Sequence, residues 1–458
     1  MSQLSSSMTV AKFGGTSVAN FDAMRRCAQI ILDNPDVRVV IVSASAGVTN
    51  LLVRLGNEVL SANERESLLQ QIRNIENAIL NDLSRPPAIE QSIDLLLFQL
   101  SEVAFHPDLL ISSKLKDELL SFGERLSSLL FSEVINQLAG EKLAETFDAR
   151  QVLKTDSVFG KAEPNLDVSK RQAEALLLPL LEERVVITQG FIGQDSFGNT
   201  TTLGRGGSDY SAALFAEATG ASVLQIWTDV TGIYTTDPRI TTKAKPIKEI
   251  SFDEAAEMAT FGAKILHPAT LIPAIRSGVK VFIGSSLKPY EGGTWISRVV
   301  EIKPAYRAVS LRKDQTLLTV TSPEMLHATG FLARVFAILA KHKLSIDLIT
   351  TSEISVALTI DSPPNTPAAE LTDACIRDLA DFCKVTVESG LSLVAVIGNH
   401  IHSSESKTNG VANIFNSISQ DQLRMICHGA SKHNVCFLVQ QDNAESIVRQ
   451  IHDHLFAA

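Results

Sequence analysis

The chain has 458 residues, of which 45% are hydrophobic and 20% are charged, and its formal net charge is −10. This composition is sufficient to form buried cores and excludes a disordered chain. An acidic balance also argues against sequence-independent binding of nucleic acid, which needs a basic surface. The length predicts about two to four domains.

The N-terminal residues lack the cationic and apolar segments of a secretory signal, and no apolar run approaches the ~18 residues of a membrane-spanning helix. The five cysteines are scattered, without a Cys-x-x-Cys pair, and the ten histidines form no zinc-binding pattern. We therefore expect a cytoplasmic protein with reduced thiols, no metal site of its own, and no nucleic-acid or membrane partner.

Up to about residue 300, strand-like and helix-like segments alternate along the chain. Strands are predicted at 37–42, 184–192, 222–228 and 279–285. Helices are predicted at 21–33, 115–138, 169–181 and 208–218, with a helical insertion over 61–105. This alternation predicts an α/β region with a mainly parallel sheet covered by helices. The breaker-rich passage 288–304 predicts its end.

The pattern of the remaining residues indicates a tandem repeat. Strands are predicted at 317–321, 345–350, 355–360 and 384–388, with helices at 332–342 and 369–381. A similar series follows, with strands at 393–397, 423–427 and 435–439, helices at 412–417 and 443–455, and a polar loop over 402–410. A shift of 79 residues places Phe336 on Phe415 and Val356 on Val435. We therefore expect a duplicated βαββαβ unit.

The first candidate site segment is Lys-Phe-Gly-Gly-Thr-Ser-Val at 12–18, between a strand-like run and a helix. Its paired glycines, Gly14 and Gly15, let backbone amides approach an anion, and Lys12 supplies a positive charge for a phosphate. An ordinary tight turn explains the same residues, so this segment alone leaves both interpretations open. Because the lysine precedes the glycines, the segment is not a Walker loop.

Three later segments offer further candidates. Residues 200–210 bring three glycines, Arg205 and several hydroxyls to the start of a helix, which favours anion recognition over a plain turn. Residues 227–239 leave the end of a strand, where open α/β sheets bind ligands. Residues 261–268 place Lys264 beside a small-residue turn, although alone it would be an ordinary surface lysine.

Together these segments resemble the amino-acid kinase family, and within it the aspartokinases of the lysine-sensitive, monofunctional type. The matching motifs are Lys-Phe-Gly-Gly-Thr-Ser-Val, Thr-Leu-Gly-Arg-Gly-Gly-Ser-Asp, Trp-Thr-Asp-Val-x-Gly-Ile-Tyr-Thr-Thr-Asp-Pro-Arg and Phe-Gly-Ala-Lys-x-Leu-His-Pro. The duplicated C-terminal part resembles the paired ACT domains of these enzymes. The likeness extends from about Thr9 to the C-terminus.

The resemblance implies an amino-acid kinase fold over 8–300 and two ferredoxin-like ACT domains over 305–390 and 391–458. It implies that the second ACT domain is structural or dimer-forming, with a strand exchanged with the first as one arrangement. The implied reaction moves the γ-phosphoryl group of ATP, bound with Mg²⁺, to the β-carboxylate of L-aspartate. The product, 4-phospho-L-aspartate, begins the biosynthesis of lysine, threonine and methionine.

By the same resemblance, Lys12, Asp209 and Lys264 are the catalytic residues, with Asp209 orienting Lys12 through an ion pair. The implied nucleotide site consists of Lys12, Gly14, Gly15, Thr228, Asp229, Tyr234, Arg239, Lys264 and Ile265. The implied aspartate site consists of Thr49, Glu124, Arg205, Gly206, Gly207 and Ser208. In it, Arg205 binds the α-carboxylate and Glu124 the α-ammonium group.

The resemblance also implies inhibition by L-lysine at the first repeat. The residues implied are Met325, Ala328, Phe331, Leu332, Ser345, Ile346, Asp347, Ser352 and Glu353. The second repeat carries Ile426 and Lys432 where the first has Asp347 and Glu353, so we expect only the first repeat to bind this effector. Ala328 stands where close relatives have a serine, so we expect inhibition to survive in weakened form.

Two other interpretations stay open at this point. One is another amino-acid kinase of the glutamate type, and the other is a non-catalytic amino-acid sensor built on the same scaffold. Because ACT units expose sheet edges that usually pair, we expect a homodimer, with a tetramer as a further state when the effector binds.

Overall fold

The computed structural model describes residues 8–204, 206–262, 266, 268–326, 329–360, 371–399, 401, 410–418 and 423–456. Their contacts divide the chain into two units. Unit 1 is formed within Met1–Ile233, Pro246–Phe252 and Lys264–Val300. Unit 2 is formed within Tyr234–Lys245, Asp253–Ala263 and Glu301–Ala458. Two short stretches from before residue 300 therefore fold with the C-terminal part.

Unit 1 is built on a sheet of eight strands. The strands of this unit are β1 Thr9–Phe13, β2 Val37–Val42, β3 Ala144–Phe147, β4 Val185–Gln189, β5 Ile192–Gln194, β6 Thr200–Thr202, β7 Val223–Thr228, β8 Glu249–Ser251, β9 Lys280–Ser285 and β10 Gly293–Ser297. Their order in the large sheet is β3-β4-β2-β1-β7-β9-β10-β8, while β5 and β6 form a separate hairpin. All neighbours in the large sheet are parallel except β9 and β10. The mainly parallel sheet predicted from the sequence is confirmed.

Helices cover both faces of this sheet. The helices of unit 1 are α1 Phe21–Leu32, α2 Val48–Asn57, α3 Ala62–Asp82, α4 Pro87–Ala104, α5 Ser113–Ala139, α6 Leu166–Gln172, α7 Gly207–Thr219 and α9 Pro268–Ser277, while most of α8 Phe252–Thr260 belongs to unit 2. Helices α1 to α5 share one core with Phe13 and Val42, whereas α7 packs against β1 and β2 and against α9. Because side chains alternate along a strand, these two groups of helices lie on opposite faces.

Three predicted elements of unit 1 differ in form or length from the sequence prediction. The predicted helix 169–181 is an α-helix only to Gln172 and continues as π and 3-10 turns to Glu182, since Pro179 has no N–H to donate. The predicted strand 184–192 ends at Gln189, and the chain turns at Phe191, whose φ is 70°. The helical insertion is two helices, separated where Arg85 has a φ of 49°.

Unit 2 contains one antiparallel sheet of six strands. They are β11 Ala308–Thr321, β12 Ile346–Thr351, β13 Ser355–Ile360, β14 Lys384–Ile397, β15 Leu423–His428 and β16 Asn434–Gln440. Their order is β12-β13-β11-β14-β16-β15. The helices of this unit, besides α8, are α10 Phe331–Lys341, α11 Asp373–Ala380, α12 Gly410–Phe415 and α13 Gln441–Phe456. Most of the loop predicted at 402–410 lies outside the described residues.

The two long strands of unit 2 serve both repeats. Residues 316–321 of β11 pair with β13 and with 384–388 of β14, which gives the first repeat four strands. Residues 308–312 of β11 pair with 391–397 of β14, which also pairs with β16. The second repeat thus obtains its fourth strand from residues that precede the first repeat.

Each repeat has its own apolar core on the helical side of the sheet. The core of the first repeat includes Leu318, Val335 and Leu358, and the core of the second includes Val309, Phe437 and Ile451. Among the described residues, no helix is both long and apolar enough to cross a membrane.

Candidate active site

Among the described residues of unit 1, the least exposed ion pair joins the central strand to a helix. Lys12 lies near the carboxyl end of β1, and Asp209 lies in the first turn of α7. The Lys12 Nζ and Asp209 Oδ1 atoms are 2.5 Å apart, with side-chain exposures of 11% and 18%. An ion pair with so little exposure fixes the ammonium group in one position, because few waters compete for it. The structure therefore brings together the two residues that the sequence had paired.

A glycine turn follows this lysine at the end of β1. A 3-10 turn spans Gly15–Val18, and the Gly14 amide donates to the Trp227 carbonyl oxygen of β7 at 3.3 Å. A Cβ on Gly15 would lie 2.9 Å from the Ala44 carbonyl oxygen, which no side chain could tolerate without a shift of the backbone. Glycine at this position lets the turn after β1 contact the turn after β2.

Glu124 approaches the same place from α5. Its side chain is buried, and burial raises its pKa to about 8, a rise that the Ala44 backbone and the Lys12 charge reduce in part. A Cβ on Gly123 would lie 2.7 Å from the Ala44 Cβ, so α5 packs directly on the turn after β2. Lys12, Gly15, Glu124 and Asp209 therefore surround the carboxyl ends of β1 and β2, where parallel sheets bind their ligands.

The other aspartate-site residues of the sequence prediction lie at two helix starts. Thr49 is exposed in the first turn of α2, beside the turn after β2. Gly206 and Gly207 begin α7, and a Cβ on Gly207 would lie 2.6 Å from the Phe191 ring. Ser208 follows and packs on Gly190. Arg205 lies outside the described residues.

The predicted nucleotide residues are divided between the units. Thr228 ends β7, donates its hydroxyl to Asp229 at 3.1 Å, and accepts the Ser286 amide on its carbonyl at 2.8 Å. Tyr234 and Arg239 belong to unit 2, where the Arg239 Nη2 atom lies 2.6 Å from the Asp237 Oδ2 atom. Lys264 and Ile265 lie outside the described residues.

The predicted effector residues lie in the first repeat. Asp347 of β12 forms an ion pair with Arg312 of β11, with 3.0 Å between the Asp347 Oδ2 and Arg312 Nη1 atoms. Glu353 is exposed in the turn after β12. The Ser352 and Ser355 hydroxyls are 2.7 Å apart. The predicted acidic pair thus consists of one carboxylate that already holds an arginine and one that faces solvent.

The apolar members of this set lie at the start of α10. Met325 and Phe331 pack on the core of the first repeat, and the Phe331 and Phe382 rings meet edge to face with centroids 5.5 Å apart. Leu332 is more than one-third exposed, Ser345 is exposed, and Ile346 is half-buried. Ala328 lies outside the described residues.

Comparison with known proteins identifies the family of the chain. The model of the Amino acid kinase family matches residues 7–285, and that of the ACT domain matches 318–369 and 394–455. Lysine-sensitive aspartokinase 3 of Escherichia coli is 52% identical over 98% of this chain and 100% of its own length. A chloroplastic aspartokinase 3 of Arabidopsis thaliana is 34% identical over 98% of this chain and 81% of its own.

The chain belongs to the aspartokinases of the amino acid kinase family.

Two crystal structures of the E. coli aspartokinase III resemble it over 98% of its length. One, in complex with aspartate and ADP, is described as the R-state and superposes with a TM-score of 0.86 at 51% identity over 100% of that chain. The other, in complex with lysine and aspartate, is described as the T-state, with a TM-score of 0.84 at 52% identity over 99% of that chain.

Several buried polar residues that support this aspartokinase site were missed at the sequence level. On α5, Ser127 donates to the Ser43 carbonyl oxygen at 2.8 Å, and Ser128 accepts from Gln189 at 2.8 Å. Asp117 of the same helix accepts bonds from Gly160 and Thr202. The signal was present in the sequence, since these residues share a face with Glu124 where a buried helix normally carries apolar residues.

Glu76 of α3 was missed as well. It is wholly buried, and the Ser45 hydroxyl, in the turn after β2, donates to its Oε2 atom at 3.4 Å. Burial raises the pKa of Glu76 to about 8. Among the described residues, no cluster of three His, Cys, Asp or Glu side chains is arranged to hold a metal ion.

Proposed function

We propose that this chain is an aspartate kinase, which transfers the γ-phosphoryl group of ATP to the β-carboxylate of L-aspartate and yields 4-phospho-L-aspartate. The observation that carries the proposal is the Lys12–Asp209 ion pair of 2.5 Å at the carboxyl end of the central strand, next to the glycine turn. The E. coli relative solved with aspartate and ADP supports the choice of substrates.

The chemistry follows from the charges involved. The β-carboxylate is ionised near neutral pH, so the attacking group needs no general base. The barrier comes from bringing two anions together and from charge that spreads over the transferred group. Lys12 would neutralise that charge, Asp209 would hold the Lys12 ammonium group in place, and the Gly15 amide would add a donor. The Gly14 amide, which already donates to the Trp227 carbonyl oxygen, would instead fix the turn. Lys264 would contribute a second cation.

The aspartate site would use opposite charges at its two ends. Arg205 would bind the substrate α-carboxylate in bidentate fashion, and Glu124 would accept its α-ammonium group. The raised pKa of Glu124 suits this role, since a bound ammonium group would stabilise the ionised carboxylate and draw the pKa back down. Thr49 and Ser208 would complete the contacts. Mg²⁺ would enter with ATP, because phosphate oxygens are its usual ligands in such reactions.

We further propose that L-lysine inhibits the enzyme by binding to the first repeat. The side-chain ammonium group of lysine would compete with Arg312 for Asp347. The Arg312 Nη1 and Asp347 Oδ2 atoms are 3.0 Å apart here. Such competition would loosen a contact between β11 and β12. A homodimer formed through the repeats, with a tetramer when lysine is bound, completes the proposal.

The deciding experiment is a kinase assay with ATP and either aspartate or glutamate, in which hydroxylamine traps the acyl phosphate. We expect turnover with aspartate, and inhibition by lysine when lysine, threonine and methionine are titrated separately. Faster turnover of glutamate would identify a glutamate-type kinase. Binding of lysine without turnover of either substrate would identify an amino-acid sensor.

A further inference from the structure

The helix that carries Glu124 has a polar face although it is buried. Asp117, Ser121, Glu124 and Ser128 are spaced so that they fall on one side of α5, and none is more than 5% exposed. A buried helix normally fills such a stripe with apolar side chains. Each polar group that replaces one must find partners, because an unpaired buried group destabilises the folded chain.

Asp117 has the most complete set of partners on this face. Its Oδ2 atom accepts the Gly160 amide at 2.9 Å and the Thr202 amide at 2.8 Å. Its Oδ1 atom accepts the Thr202 hydroxyl at 2.9 Å. All three donors point at one carboxylate, so this side chain holds two separate segments of chain against α5.

These two segments also contact each other. The Ala162 amide donates to the Thr202 carbonyl oxygen at 2.8 Å. Gly204 has a φ of 78°, and a Cβ there would lie 3.1 Å from the Gly160 carbonyl oxygen. The backbone from 202 to 204 is therefore confined between α5 and the loop at 160–162, and its conformation depends on the carboxylate that anchors both.

The anchored segment leads directly into the glycine-rich segment of the proposed aspartate site. Thr202 ends β6, three residues before Arg205, and α7 begins at Gly207. The same helix thus carries Glu124 and, two turns earlier, the carboxylate that holds the start of the glycine-rich segment. A displacement of the backbone at 202–204 would reach Gly206 and Gly207, which begin α7, without altering Glu124.

We infer that Asp117 is a positioning residue for substrate aspartate: its carboxylate sets the conformation of residues 202–204 and, through them, the place of the glycine-rich segment that binds aspartate. This inference rests on the proposed function. Asp117 acts through Thr202 and Gly160 rather than through a contact of its own with substrate. Its loss weakens the binding of aspartate while the binding of ATP is spared.

The test is the kinetics of Asp117→Asn with ATP and aspartate. The amide oxygen can still accept the two backbone amides, but its NH₂ group faces the Thr202 hydroxyl, which must turn from donor to acceptor, and the charge that strengthens all three bonds is lost at nearly unchanged volume. We expect KM for aspartate to rise at least about tenfold, while KM for ATP stays within about twofold. Glu133→Gln, the equivalent change on an outward part of α5, should alter neither constant.

A second pair of variants separates positioning from folding. Thr202→Val removes only the hydroxyl bond to Asp117, and we expect KM for aspartate to rise about threefold or more. Thr202→Ser keeps that bond and should behave as the unmodified chain does. These variants give an answer even where Asp117→Asn fails to fold.

Two results would overturn the inference. One is a lower denaturation midpoint for Asp117→Asn with KM for aspartate and KM for ATP both unchanged, which shows a purely structural role. The other is an equal rise of both constants. If the unmodified chain turns over no aspartate, the proposed function itself fails, and that result is seen before any variant is compared.

Discussion

The Lys12–Asp209 pair is the residue-scale feature on which the proposed chemistry depends. Removal of Lys12 by substitution with alanine would take away positive charge where the transferred phosphoryl group develops negative charge. We expect kcat to fall by about a hundredfold or more, with a much smaller rise in KM for aspartate. Asp209→Ala should act in the same direction, because the freed ammonium group at 2.5 Å from Asp209 loses its anchor.

The matched control is Lys280→Ala, which removes an exposed lysine at the start of β9 in the same sheet. Steady-state rates with ATP and aspartate measure both effects. A Lys12→Ala enzyme with nearly unmodified kcat would show that the charge of this lysine is not used in the transfer.

Glu76 allows a second residue-scale prediction, on stability. Its pKa rises from the usual 4.5 to about 8 because it is wholly buried. Between these pH values the folded chain holds a proton that the unfolded chain has lost, so stability falls as the pH rises from about 4.5 to about 8. Glu76→Gln keeps the shape without a charge. We expect it to gain stability over the unmodified chain, from almost nothing at pH 4 to a few kcal/mol at pH 8.

Urea denaturation at a series of pH values measures this gain. Glu66→Gln is the control, because Glu66 is exposed on the same helix and its substitution should change stability equally little at every pH. If the advantage of the Glu76→Gln variant did not grow with pH, Glu76 would already be ionised in a favourable site. Either outcome also tests how far the Ser45 hydroxyl, 3.4 Å from the Glu76 Oε2 atom, stabilises the ionised carboxylate.

At the scale of elements, the sequence predicted strands that fill continuous apolar runs and missed boundaries that depend on partners. Strand β2 was predicted at its observed residues because every residue of Val37–Val42 except Arg38 is apolar and β-branched. Residues 308–312 were not predicted as a strand, since their pairing partner, 391–397, lies in the other repeat. No local pattern encodes such a pairing, which depends on contacts far apart in the chain.

The same limit applies to the site. The glycine and lysine motifs could be read from the sequence because the backbone amides and the positive charge of each motif come from residues that are neighbours in the chain. Glu76 could not, because a carboxylate on a helix looks like a solvated one until its burial is known. Asp117 was marked in the sequence only by its place on the same face of α5 as Glu124. Asp347 shows the opposite case, since the sequence identified the acid but not that Arg312 already pairs with it.

The shared strand supports an element-scale prediction. Val309 lies in β11 before the first repeat, yet its buried side chain packs in the core of the second repeat. Val309→Ala should therefore cost about 1–3 kcal/mol, and amide hydrogen exchange should accelerate in β16 and α13. The exchange of β13, which belongs to the first repeat, should change less. Faster exchange confined to β13 would contradict the assignment of 308–312 to the second repeat.

At the scale of the whole molecule, unit 2 is notable for including two stretches that come from the first 300 residues. In the stretch Tyr234–Lys245, the Thr235 hydroxyl lies 2.8 Å from the His452 Nε2 atom of α13, and Lys243 pairs with Asp453. In the stretch Asp253–Ala263, Glu257 accepts bonds from Ser431 at 2.5 Å and Asn434 at 2.6 Å. Thr235, Lys243 and Glu257 thus attach these two stretches to the second repeat.

One buried ion pair carries much of this attachment. The Glu254 and Arg307 side chains are 0% and 8% exposed, with 2.7 Å between the Oε1 and Nε atoms. Asn399 donates to the Glu254 Oε1 atom at 2.5 Å, and Arg307 donates to the Ile302 carbonyl oxygen at 2.7 Å. Removal of one partner leaves the other charge buried and uncompensated, which typically costs about 3–5 kcal/mol.

We therefore expect Arg307→Met to lower the stability of the chain by several kcal/mol, and we expect the double variant with Glu254→Gln to recover part of that loss. Lys313→Met is the control. It breaks the Lys313–Glu445 pair of the same unit, whose side chains are 49% and 43% exposed, and such exposed pairs contribute at most about 1 kcal/mol. Chemical denaturation of the four chains measures the differences. An equal loss in Arg307→Met and Lys313→Met would show that water reaches Glu254, and that α8 is held by its apolar contacts rather than by this pair.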